Sequence, residues 1–96
     1  MKLENIKRGQ YLYYTERDYG DNYADSLVNI REISGVLMAH PICVNWKGAY
    51  INETSKNWGE DLPVASFYNE SYWYPTNYMG GDPSEWMTLN YPLENN

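Results

Sequence analysis

His40 and Cys43 are the only residues of their kinds in the chain, so any site that pairs a nucleophile with an imidazole base must be built on His40. In an alternating strand the two positions point to opposite faces, which separates base from thiol and favours structural roles for both. As metal ligands they need carboxylates from elsewhere, and no spacing supplies them. Asp18, Asp21, Asn22 and Asp25 crowd like a calcium loop. They lack the alternating acidic spacing, central glycine and terminal glutamate of an EF-hand and read as a solvated loop. Glu60 and Asp61 form a carboxylate pair of the kind glycosidases use, but catalytic pairing is set in space and not by adjacency. Gly80-Gly81 has neither the lysine nor the preceding strand of a phosphate loop and reads as a turn. None of these patterns specifies a reaction. The expectation is a protein that is not an enzyme and that needs no cofactor and no metal.

Recognition chemistry is better represented. The 96 residues hold eleven tyrosines and four tryptophans beside one phenylalanine. Phenylalanine serves for filling a core, whereas Tyr and Trp carry a polar tip that must reach water or a partner. The densest stretch contains Phe67, Tyr68, Tyr72, Trp73, Tyr74 and Tyr78, with Glu70 among them. Some of these rings must pack both faces of a strand in a core short of aliphatics, yet with Trp58, Trp86 and Tyr91 there are more than one small core hides.

Charge narrows the class of partner. Residues 1–48 carry equal numbers of acidic and basic side chains, while the second half has only Lys56 against Glu53, Glu60, Asp61, Glu70, Asp82, Glu85 and Glu94, so the net charge of -6 lies entirely there. Direct binding to nucleic acid is disfavoured, since that depends on Lys and Arg neutralising phosphate. A basic protein surface is the complementary partner. The single cysteine excludes an internal disulfide, and the sequence has neither a signal-peptide pattern nor a membrane-length apolar run, so a cytoplasmic protein is expected.

The elements that must position these residues read as mainly β, or α+β. Tyr11–Thr15 has strand composition after a turn at 7–10. Asp18–Asp25 follows as a polar loop. Ser26–Ser34 fits a short helix stopped by Gly35, and equally a strand with a bulge. Val36–Trp46 alternates as a strand that is an edge or is bent at Pro41, and Lys47-Gly48 turns it into Ala49–Ile51. Residues 52–63 form an outward polar loop, and 64–68 and 72–74 are two further short strands. Asp82-Pro83-Ser84-Glu85 starts a helix of one or two turns. The whole is one domain, 1–96, with 90–96 a frayed tail. Either a small SH3-like barrel or a twisted antiparallel sheet with one or two short helices satisfies this order.

Tyr11-Leu12-Tyr13-Tyr14 with the acidic loop after it is similar to the opening of SH3 domains, and Pro75-Thr76-Asn77-Tyr78 resembles the turn near their end. The resemblance implies that Tyr13, Pro75 and Tyr78 line a groove for proline-rich peptides. The chain departs from the pattern in lacking an adjacent tryptophan pair, in the insertion at 52–63 and in continuing from Gly80 to Asn96.

The leading functional expectation is an inhibitory binding protein that blocks a basic site on another protein. Its contact residues are Trp58, Glu60, Asp61, Phe67, Tyr68, Glu70, Tyr72, Trp73, Tyr74 and Tyr78. Phage and mobile-element proteins directed against host defence enzymes are the narrower version. The alternatives are a binder or sponge for a nucleotide or sugar, including as a homo-oligomer, and the SH3-like peptide reader.

Overall fold

Alternation and turn chemistry build the sheet from its middle outward. In the computed structural model, which describes residues 1–19, 23–53 and 61–93, the strands are β1 (Tyr11–Thr15), β2 (Asp25–Ile33), β3 (Val36–Trp46), β4 (Ala49–Asn52), β5 (Leu62–Pro63) and β6 (Trp73–Pro75). All pairings are antiparallel, in the order β4-β3-β2-β1-β6, with β5 beside β3. No pairing among the described residues joins β4 to β6, so the sheet is twisted and open, not a closed barrel.

The stretch that fitted helix or strand is the long strand β2. Leu27, Val28 and Ile30 are all buried, because the sheet is covered on both faces and a strand in that position needs no polar side. Ser34 and Gly35 take φ of 52° and 80°, the left-handed pair that closes a two-residue hairpin into β3. Gly35 therefore turns a hairpin and does not stop a helix. Lys47 and Gly48, with φ of 53° and 86°, repeat the device between β3 and β4.

Pro41 does mark a bend. Leu27 lies opposite Cys43 while Val28 lies opposite Pro41, so Ile42 is the extra residue of a bulge. The bulge shifts the side-chain alternation by one. His40 opposite Asn29 and Cys43 opposite Leu27 consequently share a face of the sheet, a correction to the expectation of opposite faces.

The two faces have different covers. On one, which we call the turn face, Ile6, Leu12, Tyr14, Val28, Ile30, Ala39, Val64 and Trp73 form a core. It is closed by short 3₁₀ turns at Leu3–Asn5, Val64–Ser66 and Glu70–Tyr72. On the other, the helix face, Tyr13, Leu27, Cys43 and Tyr78 pack against Met87 of helix α1 (Pro83–Asn90). Burying a side chain such as Leu27 or Ile30 contributes roughly 1.5–3 kcal/mol.

Residues 64–68 are not the strand expected of them. Only Val64 of the first turn is buried, so the chain after Pro63 coils across the turn face, where an alternating strand would have one flank to pair. Tyr72 likewise ends a turn whose cap is the Asn69 side chain, accepting from the Ser71 backbone N–H at 3.0 Å. Helix α1 begins as its sequence predicts: Asp82 caps it by accepting from the Ser84 N–H, with Pro83 in the first turn. Asn52 ties this start to β4, donating to Asp82 at 2.7 Å and accepting from Ser84 at 2.8 Å. No helix among the described residues is long and apolar enough to cross a membrane.

Candidate binding surface

Side chains one residue apart in a strand point to opposite faces, and this divides the dense aromatic stretch. Trp73 is fully buried in the turn-face core, while Tyr74 next to it is 40% exposed. Phe67, Tyr68 and Tyr72 pack half-buried around the same core. Tyr14 sits at its centre, with the rings of Phe67, Tyr72 and Trp73 edge-on at 5.3, 5.7 and 5.1 Å. The Tyr68 hydroxyl donates to the Met1 carbonyl, and the Met1 amino group donates to the carbonyls of Glu70 and Trp73. These rings hold the N-terminal segment down. Glu70 is exposed at that turn, and Asp61 is drawn into a different cluster. Trp58 and Glu60 lie outside the described residues. The single contact face expected over Phe67–Tyr78 is thus two surfaces, and Trp73 is structural.

The rings that remain form a continuous belt on the helix face. Tyr11 meets Tyr78 at 5.0 Å, Tyr78 meets Trp86 at 5.6 Å and Trp86 meets Tyr91 at 5.7 Å. Tyr91 stacks on Tyr13 at 3.6 Å with planes 11° apart, and Tyr13 reaches Tyr74 at 6.0 Å. Of these only Tyr74 and Tyr78 were among the expected contact residues. Tyr11 and Tyr13 join them because β1 pairs with β6, placing Tyr13 opposite Tyr74. Tyr91, placed by its sequence position in the terminal tail, is anchored at its carbonyl by the Tyr50 hydroxyl at 2.6 Å. Burial, before any neighbouring charge, raises the pKa of Tyr13, Tyr78 and Tyr91, so these hydroxyls stay protonated at neutral pH. Of the SH3-like trio, Tyr13 and Tyr78 are buried in the belt and Pro75 is exposed at the end of β6.

At one end of the belt Tyr13, Tyr74 and Tyr91 line a notch of about 170 Å³ together with Thr15, Arg17 and Asp18. Its polar wall is anchored by Asp25, a carboxylate only 1% exposed. Arg17 pairs with it at 2.6 Å, Thr15 donates a hydrogen bond to its other oxygen, and the Tyr50 hydroxyl lies 3.0 Å away. Burial opposes the Arg17 charge, but the hydrogen bond and attraction of Asp25 more than offset it and raise the guanidinium pKa. The Tyr13 hydroxyl is buried beside Thr15 and Asp25. Asp25 is therefore a structural anchor and no member of a solvated loop. Asp18 stands exposed at the notch, and Asp21 and Asn22 lie outside the described residues.

The two unique residues are both held. His40 Nδ1 is 2.7 Å from Asp61 and Nε2 is 2.9 Å from Glu53. An imidazolium can donate to both carboxylates, a neutral ring to one. The carboxylates approach different nitrogens, so the three side chains do not converge on one ion. Arg31 adds a looser contact to Asp61 at 3.8 Å. Cys43 is fully buried, and burial, with a smaller contribution from Asp82, pushes its thiol up to about 12; the protonated thiol is a poor nucleophile.

Two roomier hollows lie elsewhere. One of about 300 Å³ lies beside Gly48, Ala49, Tyr50, Thr88, Pro92 and Leu93, and its aromatic, Tyr50, has its hydroxyl committed to Asp25 and Tyr91. The other, about 500 Å³, is a depression of mixed charge beside Ile6, Lys7, Arg8, Glu32 and Leu37. No protein-family model matches the chain, no curated protein matches it, and no solved structure matches it.

Proposed function

We propose that this is a non-catalytic binding protein that blocks a basic site on another protein with the aromatic belt of its helix face. The observation that carries the reading is the belt itself: six contiguous rings, with Tyr11 and Tyr74 38% and 40% exposed at its two ends. Tyrosine and tryptophan dominate the energetic centres of protein interfaces because they bury large area with few rotors to freeze. Asp18, Asp82 and Glu85 are exposed beside the belt rings, while the nearby cation, Arg17, is already paired with Asp25. Complementarity therefore favours a cationic partner. Enzymes that handle nucleic acid present such surfaces to phosphate, which makes an inhibitor of a nuclease or defence enzyme the narrower form of the reading.

Ligand pockets for nucleotides and sugars usually enclose about 300–1,000 Å³. The notch, at about 170 Å³, is the size of one side chain. Affinity capture from lysate, followed by a salt series, tests the reading. Capture of a basic protein that weakens as salt rises and is lost in Tyr74→Ala supports it; capture indifferent to salt refutes the electrostatic part. A dimeric mass in solution would assign the belt to a second copy of the chain instead.

A further inference from the structure

We infer that the notch formed by Tyr13, Tyr74, Tyr91 and Asp18 is a receptor for one guanidinium group, an arginine side chain of the partner, which rests on the binding role proposed above. Three aromatic walls around a small opening attract a cation through the negative faces of the rings. Tyr13 and Tyr91 stack nearly parallel and Tyr74 is tilted 40° from Tyr13 at 6.0 Å, so Tyr74 is the wall that a second flat group can lie against. The chain already makes such a contact, with the guanidinium of the notch-lining Arg17 5.0 Å over the Tyr23 ring.

Charge decides between a cationic and an anionic occupant. Arg17 lines the notch, but its charge is matched at 2.6 Å by Asp25, whose side chain is fully buried and unavailable to anything else. Asp18 is the remaining charge of the lining, and it is exposed. The notch therefore presents a net negative charge to an entering group. The preference for guanidinium over ammonium follows from hydration and shape. An arginine side chain is planar, loses less on leaving water and can offer two parallel N–H groups to a carboxylate such as Asp18. An ammonium is more strongly hydrated and cannot stack.

The test uses the intact chain and three blocked peptides of one sequence, alternating glycine with arginine, lysine or citrulline, followed by NMR of the tyrosine ring protons. The arginine peptide should shift the Tyr74 and Tyr91 resonances saturably. The lysine peptide should bind at least about threefold more weakly, and the uncharged citrulline peptide at least about tenfold more weakly. Asp18→Asn and Tyr74→Ala should each weaken the arginine peptide at least about threefold, with melting temperatures close to wild type because both side chains are exposed. Equal binding of citrulline and arginine peptides, no saturable shift at all, or unchanged affinity in both variants overturns the inference. Partner capture that stays salt-sensitive and is lost in Tyr74→Ala while Asp18→Asn binds normally removes the guanidinium receptor and leaves the broader binding role intact; salt-indifferent capture removes that role itself.

Discussion

Asp25 gathers Arg17, Thr15 and Tyr50 around a carboxylate that water cannot reach. Replacing it by alanine leaves Arg17 and the Thr15 hydroxyl without their acceptor, while the Tyr50 hydroxyl keeps the Tyr91 carbonyl. Breaking a fully buried ion pair costs about 3–5 kcal/mol, and about 2–3 kcal/mol is expected here because the Arg17 side chain keeps 24% of its surface in water. Urea unfolding of Asp25→Ala measures this, and a loss below about 0.5 kcal/mol would contradict the anchoring role. The buried acids of the core also set an alkaline limit. Burial raises Tyr13, Tyr14 and Tyr50 above the ordinary tyrosine value of 10.0 and moves Cys43 from 9.0 to about 12. The unfolded chain then releases these protons at lower pH than the folded chain does. The stabilisation is complete below about pH 9 and declines as pH rises through each ordinary value toward the folded one. The melting temperature should fall steadily between about pH 9 and pH 11, and a flat profile would be inconsistent with these burials. The sequence could not show Asp25 as buried, because its partners come from two other strands and a turn.

Elements marked by strand composition, by alternation or by a cap were legible; burial on both faces hid β2 but not β1, whose aromatic and β-branched residues still read as a strand. β1 and β3 run as their sequences suggest, and the Asp82-Pro83 start of α1 is where its cap requires. β2 stayed ambiguous because a two-sided core removes the polar half of the pattern. The bulge at Ile42 also escaped, and with it the shared face of His40 and Cys43. The hairpin after β2 gives a sharp test. Gly35 has φ +80° with open space where a Cβ would stand, so Gly35→Ala meets only the backbone cost and should destabilise the chain by about 1 kcal/mol. An unchanged unfolding midpoint would contradict the left-handed turn. Asp82 supplies the acid-side counterpart. Hydrogen bonds first from Asn52 and then from Ser84 hold its pKa below the ordinary value. A depressed carboxylate stabilises above its unfolded pKa and loses that contribution as pH falls through the folded one. Asp82→Ala should therefore melt at a lower temperature at neutral pH and show a shallower decline on acidification. Parallel declines in variant and wild type would argue against the cap as the titrating group.

In the whole molecule one open sheet separates two aromatic groups with different duties. The turn-face rings close a core, and the helix-face rings form a belt that reaches the surface. The density of aromatics in 67–78 was visible in the sequence, whereas their division between faces depends on the β1–β6 register, a contact between residues some sixty positions apart. The two groups should respond oppositely to truncation. Trp73→Ala should cost about 3–5 kcal/mol, as removal of a fully buried large ring does, while Tyr74→Ala should change stability by less than about 1 kcal/mol. The central claim is that the belt is the contact surface. Its most direct measurement is calorimetric affinity for the captured basic partner, comparing wild type with the double variant Tyr11→Ala/Tyr74→Ala at matched folding. The belt predicts a loss of at least about tenfold in affinity, the scale of removing two aromatic interface anchors. Undiminished affinity in a folded double variant would contradict it.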